Sequence, residues 1–420
     1  MNILVIGSGA REHALVTALR LDTSVDRIIC APGNAGIARD VETCEVDATS
    51  AQAIGDLAAE LKVDLVVIGP EVPLVAGAAD AVRAHGIACF GPSAAAAQLE
   101  GSKAFAKLVM DEAGVDTARA RVCEALDEVA AALDEFGAPH VVKDDGLAAG
   151  KGVVVTSDRD EAFAHARACL DRGGDARVVI EEYLDGPEVS LFGITDGTTI
   201  IPLEPAQDFK RAFDGDAGPN TGGMGAYSPL PWAPSDLVAN VTEHVLEPMI
   251  DTMRERGTPF SGLLYAGLAL TSKGIRVIEF NARFGDPETQ VVLARLVTPL
   301  GQVLLAAATG TLADLPPLEW RTGAAVTVVI ASKGYPESPV TGDLIYGLGE
   351  AGAIGGVSVL HAGTRAQGDG IVSAGGRVLS VTAVGDDIEA ARTRAYEAID
   401  CISLEGSHHR RDIAEAKRSG

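Results

Sequence analysis

Val141-Val142-Lys143-Asp144-Asp145-Gly146-Leu147-Ala148-Ala149-Gly150-Lys151-Gly152-Val153-Val154-Val155 is the stretch on which the reading of this chain turns. Two β-type runs enclose a loop rich in glycine and bracketed by lysines. Backbone N–H groups approach phosphate oxygens closely where no Cβ intrudes, and two ammonium groups offset phosphate charge. The loop is not a Walker A motif, which needs four residues between Gly and Gly-Lys and then Ser or Thr. Here only Leu147-Ala148-Ala149 intervene, and Gly152 follows. Strand alternation puts Lys143 and Asp145 on one face and Asp144 on the other. The expectation is a hairpin flap over a nucleotide, with Lys143, Gly146, Gly150, Lys151 and Gly152 at its phosphates. The bland alternative is a solvated surface hairpin, which has little use for so many glycines and alanines.

Upstream of the flap, apolar runs end repeatedly in glycine: Ile3–Gly7, Ile28–Gly33, Leu65–Gly69 and Ala88–Gly91. Helix-like stretches separate them at Glu12–Leu21, Ala51–Leu61 and Leu74–Ala84. Unalternating apolar strands interleaved with helices predict an α/β, doubly wound parallel sheet, which takes ligands beyond the carboxyl ends of its strands. Gly7-Ser8-Gly9-Ala10-Arg11-Glu12-His13 sits at such an end. Glu12 replaces the third glycine of a dinucleotide fingerprint, and Cys30-Ala31-Pro32 offers no acid for a ribose hydroxyl. The turn is therefore read as a seat for a phosphate or carboxylate at the helix N-terminus, with Arg11 beside it.

Downstream, Val178-Val179-Ile180-Glu181-Glu182-Tyr183-Leu184 runs into Asp185-Gly186-Pro187-Glu188. A strand backbone there can read an adenine edge, and a carboxylate can bind ribose hydroxyls. Ile275–Asn281 reads as a strand whose Glu279 and Asn281 project from one face. Two hard oxygen donors opposite ATP phosphates suit Mg²⁺ (or Mn²⁺) better than zinc or iron. Arg283, two residues further on, is placed for a carboxylate or for transferring phosphate charge. A polar glycine-rich segment, Gln207–Arg211 followed by Asp214–Pro229, has the composition of a binding loop.

Net charge is −25 over 420 residues, which excludes a basic nucleic-acid or anionic-membrane surface. Phosphate sites must then be built locally. Cys30, Cys44, Cys89, Cys123, Cys169 and Cys401 form no C-x-x-C pair or zinc spacing, and read as reduced thiols of a cytoplasmic enzyme. No signal peptide or membrane span is expected. The histidines form no catalytic set, and no G-x-S-x-G elbow is present. The charged end from Ser407 is expected to fray.

Taken in order, Gly7–His13, Ala31–Gly36, Gly69–Glu71, Leu99–Lys103, Asp145–Gly152, Gly218–Pro229, Glu279–Asn281 and Arg283–Gln290 resemble the glycinamide ribonucleotide synthetase (phosphoribosylamine–glycine ligase) family of ATP-grasp ligases over nearly the whole chain. The resemblance implies ATP-grasp central domains with a mobile lid and a small mixed α/β C-terminal domain. Its divisions would be residues 1–101, 102–320 with 120–187 as the lid, and 321–420. It implies ligation of glycine to 5-phosphoribosylamine through a glycyl phosphate, in a monomer that acts on small molecules only.

Carried over, Lys103, Lys143 and Lys151 neutralise ATP phosphates. Glu181, Glu182 and Leu184 hold adenine, and Glu188 holds ribose. Glu279 and Asn281 bind the metal, and Arg283 acts with Lys151 in the transfer. Asp208, Lys210, Arg211, Asn220, Thr221, Gly222, Gly223, Met224, Asp286 and Glu288 line the acceptor site. Gly9, Arg11, Asn34 and Glu71 hold phosphoribosylamine. Asp144 stands where the family commonly has alanine, and Phe209 where it frequently has histidine. Two other readings stay open: an ATP-grasp ligase with a different carboxylate and amine, and a nucleotide-binding protein without turnover.

Overall fold

Apolar runs without alternation need cover on both faces, and the first sheet has it. In the computed structural model, which describes residues 1–147 and 152–415, the strands Asn2–Gly7, Arg27–Pro32, Leu65–Ile68 and Ala88–Phe90 lie parallel. A short edge strand, Glu42–Thr43, completes the sheet beside Arg27–Pro32. Leu4 and Ile6 enter one hydrophobic core and Ile3 and Val5 another, so consecutive residues serve opposite faces. Strand order reverses between Asn2–Gly7 and Leu65–Ile68. That is where a doubly wound sheet opens a crevice, and the Gly7 and Gly69 turns meet there. The helix expected at Leu74–Ala84 is two, Glu71–Val75 and Ala78–Ala84, broken at Gly77 with φ +90°.

The flap strands belong to a separate antiparallel sheet, in the order Ala120–Cys123, Val178–Glu181, His140–Asp144, Val153–Thr156. Helices Leu126–Phe136 and Arg159–Leu170 cover it, and Val129, Leu133, Val142, Ala162 and Ile180 form a core of its own. The second helix starts at Asp158, whose carboxylate accepts from the N–H groups of Asp160 and Glu161. This unit, expected from the sequence to be the lid, thus has a core of its own.

Facing the lid, strands Ile200–Pro202, Glu188–Asp196, Ser261–Thr271 and Gly274–Asn281 form an antiparallel sheet. Gly267 pairs with Glu279 and Leu268 with Val277, so Ile278 is an extra, bulged residue. Val277 and Phe280 are both buried as a result, and Glu279 and Asn281 share the opposite face, as the sequence predicts.

The last sheet runs Gln207–Asp208, Gly225–Ser228, Ala324–Ala331, Arg377–Gly385, Val357–His361, antiparallel throughout, with helix Ile388–Asp400 packed on it. Its first two strands come from far upstream. The glycine-rich segment is thus a graft on the C-terminal sheet, not a loop of the central one.

The expected frayed end is instead docked from Ser407 to Glu415. His408 pairs its backbone with Ala331, Ile413 is fully buried, and the Arg410 side chain is 1 % exposed. Arg410 donates to Asp412 at 2.6 and 2.7 Å and to Asp216 at 2.9 Å, and it lies over the Phe209 ring. The partners gathered around this one buried cation outweigh the polar composition of the segment. Among the described residues no helix is long and apolar enough to cross a membrane.

Candidate active site

The lid, the central sheet, the N-terminal crevice and the C-terminal sheet enclose a cleft of about 2040 Å³. Of the predicted site residues within the described part, all except Gly9, Asn34, Gly223 and Met224 line it. Gly150 and Lys151 lie outside the described residues.

At the lid end, Lys143 Nζ donates to Glu181 Oε2 and to the Ile278 carbonyl, both at 2.9 Å. Lys107 Nζ reaches Glu181 Oε1 at 3.1 Å. The Glu181 carboxylate therefore sits between two lysines. Its side chain holds and spaces those cations. Glu182 likewise turns its carboxylate away, accepting from the backbone N–H and Nε of Arg119, each at 2.9 Å. Lys103 opens helix Lys103–Glu112 and donates to the Gly146 carbonyl at 3.0 Å. Ser102 caps that helix and bonds the Asp145 carboxylate, which also pairs with Arg177 at 2.8 Å. Asp144 points to the other face, against Arg172, as alternation requires, and brings no charge to the cleft.

On the central strand, Glu279 makes no hydrogen bond or ion pair among the described residues. Partial desolvation works against its charge, but Lys210, Lys143, Lys103 and Arg283 outweigh that and hold it below the usual glutamate range. An ionised carboxylate facing cations without touching one suits a metal ligand. The Asn281 Oδ1 stands beside it, 3.4 Å from Arg283 Nη2.

Arg283 joins three segments. Its Nε reaches Glu71 Oε2 at 3.1 Å and its Nη2 reaches Glu100 Oε1 at 2.8 Å. Burial disfavours the guanidinium charge, yet Glu100 and Glu71 raise its pKa above the ordinary arginine value. Burial pushes Glu100 up. For Glu71, Arg283 and Arg11 overcome burial and hold the carboxyl down. Arg11 Nη1 donates to the Phe284 carbonyl at 3.0 Å, so it belongs to this group.

Further along, Asp208, Lys210, Glu188 and Glu288 gather at the grafted strands. Lys210 Nζ meets Glu188 Oε2 at 2.5 Å, and its pKa is raised well above the usual lysine value because Glu188 and Asp208 outweigh desolvation. The Asp208 carboxyl is pushed up to about 7 by desolvation, with Glu288 and Glu188 adding to it against Lys210. Glu288 Oε1 accepts from Tyr265 Oη at 2.6 Å, and Tyr265 Oη bonds Ser190 Oγ at 2.8 Å. Arg211 Nη1 donates to the Gly218 carbonyl at 2.7 Å and pairs with Asn220 across the hairpin. Thr221 Oγ donates to the Lys210 carbonyl at 2.8 Å.

Four of the expected site residues lie outside the cleft lining. The Gly9 N–H donates to Glu12 Oε2 at 2.6 Å, so the turn read as an anion seat is filled by the chain's own carboxylate. Glu12 takes this space because glycine stands opposite: a Cβ on Gly69 would lie 2.1 Å from Glu12 Oε1. Asn34 spends its amide on the carbonyls of Ser8 and His361, each at 2.8 Å, and its Oδ1 on the N–H groups of Gly36 and Ile37. It ties the first sheet to the last. Met224 is fully buried. Gly223, at φ +105°, packs where a Cβ would meet Pro287.

Sequence reasoning missed Lys107, Tyr265 and Arg377. The i,i+4 spacing of Lys103 and Lys107 could have found the first. Tyr265 lies inside an apolar strand and Arg377 at the start of one, with nothing local to mark either.

Family models for phosphoribosylglycinamide synthetase match most of the chain: its N domain at residues 1–100, its ATP-grasp (A) domain at 101–289 and its C domain at 325–416. The chain is 66% identical to a phosphoribosylamine–glycine ligase of Streptomyces coelicolor over 100% of both chains. It is 57% identical to one of Mycobacterium leprae over 100% of this chain and 99% of that one. The crystal structure of a phosphoribosylamine–glycine ligase from Thermotoga maritima superposes with a TM-score of 0.84 at 33% identity, covering 98% of this chain and 100% of the other. The chain belongs to the phosphoribosylglycinamide synthetase family of ATP-grasp ligases.

Proposed function

We propose that the two ends of this cleft divide one ligation between them, a nucleotide half under the lid and an acceptor half at the grafted strands. The chain is a phosphoribosylamine–glycine ligase of purine biosynthesis, forming glycinamide ribonucleotide with ATP as co-substrate. Phosphoryl transfer mainly needs positioning and charge neutralisation, and the residues supply both. Lys103, Lys143 and Lys151 neutralise the phosphates, with Gly146, Gly150 and Gly152 letting the backbone close in. The strand end from Glu181 to Leu184 reads adenine through its main chain, and Glu188 takes the ribose once Lys210 turns away.

Glu279 and Asn281 would hold Mg²⁺ or Mn²⁺ together with phosphate oxygens; a bound ion would offset negative charge on the triphosphate. Arg283, fixed by Glu71 and Glu100, orients the glycine carboxylate toward the γ-phosphate and stabilises the charge in flight. That attack gives glycyl phosphate and ADP. The phosphoribosylamine nitrogen then attacks the acyl carbon and phosphate leaves. Asp208, with its carboxyl near neutrality, is the group in the acceptor half able to take the proton that nitrogen loses. Asp286 and Glu288, with Arg211, Asn220, Thr221 and Gly222, surround the sugar phosphate, and Arg11 and Glu71 close it from the first sheet.

With this goes a working division at 1–101, 102–320 with the lid at 120–187, and 321–420. The enzyme acts as a cytoplasmic monomer on small molecules, without nucleic acid or membrane as partner.

The observation that carries the reading is the 2.9 Å bond from Lys143 Nζ to the Ile278 carbonyl, which sets the lid's phosphate cation one residue from Glu279. Coupled detection of ADP release tests it. Turnover should require glycine and freshly made phosphoribosylamine together. ADP release independent of either substrate, or none at all, would reject it.

A further inference from the structure

Arg377 begins the longest strand of the C-terminal sheet, yet its side chain leaves that sheet for the cleft. Its Nη1 donates to the Asp286 carbonyl at 2.7 Å and also reaches the carbonyls of Gly222 and Gly223. Its Nη2 pairs with Asp286 Oδ2 at 3.1 Å. The other carboxylate oxygen, Asp286 Oδ1, accepts from Gln290 Nε2 at 2.7 Å. Gln290 is 1 % exposed and is itself held by Ser380 on the Arg377 strand.

Asp286 is thus gripped from both sides, and one guanidinium holds it together with the Gly222–Gly223 backbone. The same carboxylate faces the first sheet, since a Cβ on Gly9 would lie 3.7 Å from Asp286 Oδ2. Three parts of the chain converge on that point. Among the described residues Arg377 makes no bond to any group of the nucleotide half.

We propose that Arg377 is a positioning residue for the acceptor half, setting Asp286 and the Gly222 carbonyl in the geometry that binds the amino sugar phosphate. This rests on the assignment of that half to phosphoribosylamine. Arginine suits the task because its planar fork serves several acceptors at fixed angles, which an ammonium does not. The C-terminal sheet thereby tunes one substrate's site without touching the other two.

The test compares steady-state constants of wild type, Arg377→Ala and Arg377→Lys for all three substrates, with thermal melting of each protein. Charge-assisted hydrogen bonds of this kind are worth about tenfold or more in affinity. In Arg377→Ala, KM for phosphoribosylamine should rise at least about tenfold, while KM for ATP and for glycine stays within about twofold. Arg377→Lys should recover part of the loss, and millimolar guanidinium should partly rescue Arg377→Ala but not wild type. Equal KM values in wild type and Arg377→Ala would overturn the proposal and leave the ligase reading standing. So would a parallel rise in all three constants with a lower melting temperature, the mark of a merely structural residue. Absence of turnover in wild type would instead reject the ligase reading itself.

Discussion

Glu181→Gln tests the ion pairs that hold Lys143 and Lys107. The Glu181 carboxylate lies between Lys143 and Lys107 at 2.9 and 3.1 Å, and the side chains of Glu181 and Lys143 are each 4% exposed. Removing one partner from a buried ion pair costs about 3–5 kcal/mol, because the other charge stays buried without compensation. Two lysines lose their partner here, which argues for the top of that range. Both keep other acceptors, however: Ile278 O for Lys143, and Thr117 Oγ and Ala118 O for Lys107. A loss of about 3 kcal/mol is therefore expected. In a cooperative unit of 150–250 residues that is a fall in Tm of roughly 6–12 °C.

ATP should reverse much of this fall. Its phosphates bring negative charge to the same ammonium groups, so ATP should bind the variant more tightly than wild type, and at saturation each tenfold gain in affinity returns about 1.4 kcal/mol of the loss. Differential scanning fluorimetry with and without ATP reads both effects. An unchanged Tm without nucleotide would refute the ion-pair energetics. A fall of the same size with and without ATP would refute the placing of phosphates at Lys143.

Glu279→Gln should do the opposite: lower turnover at least about a thousandfold while changing stability by less than about 1 kcal/mol, because Glu279 bonds to no described residue; near-normal rates at ordinary Mg²⁺ would count against it as a metal ligand. For Asp208 the folded carboxyl titrates near 7 against an ordinary 3.8, so between these values the native state keeps a proton that the unfolded chain has lost, and this group removes stability as pH climbs from about 4 to about 7. Asp208→Asn should therefore gain on wild type across that window in urea titrations, with a constant advantage above it, and should lower kcat; a variant that tracks wild type at every pH speaks against the shift. Arg410→Ala should cost about 3 kcal/mol, since it strips Asp412 of both its bonds to that guanidinium; a loss under about 1 kcal/mol in denaturant melts would mean that the terminal segment docks without it.

How much was legible in the sequence follows from the range of the forces involved. The parallel sheet could be read because Ile3 to Ile6 and Leu65 to Ile68 are apolar without a break, and burial on both faces demands that. Glu279 and Asn281 could be placed on one face because a strand alternates locally, and the bulge at Ile278 did not disturb the two-residue step between them. The sense of Asp144 followed from the same rule.

What escaped was long-range. Nothing near Glu181 says that Lys107 approaches from another element, so the ion pairs of its side chain were not foreseen. Gly9 looked like an open anion seat because the sequence shows Glu12 as a missing glycine, not as the carboxylate that folds back to fill the turn. Asn34 carries a composition common to ligand sites, but its partner His361 comes from the far end of the chain. The docking of Arg410 likewise depends on Asp216 and Phe209, both remote in sequence.

The central claim is that a lid cation and a pair of oxygen donors grip one triphosphate from opposite sides. A crystal structure with a non-hydrolysable ATP analogue, Mg²⁺ and glycine tests it most directly. The β- and γ-phosphates should lie between Lys143 and Lys103 on one side and Glu279 with Asn281 on the other, with the glycine carboxylate toward Arg283. A triphosphate bound away from both groups would contradict the account.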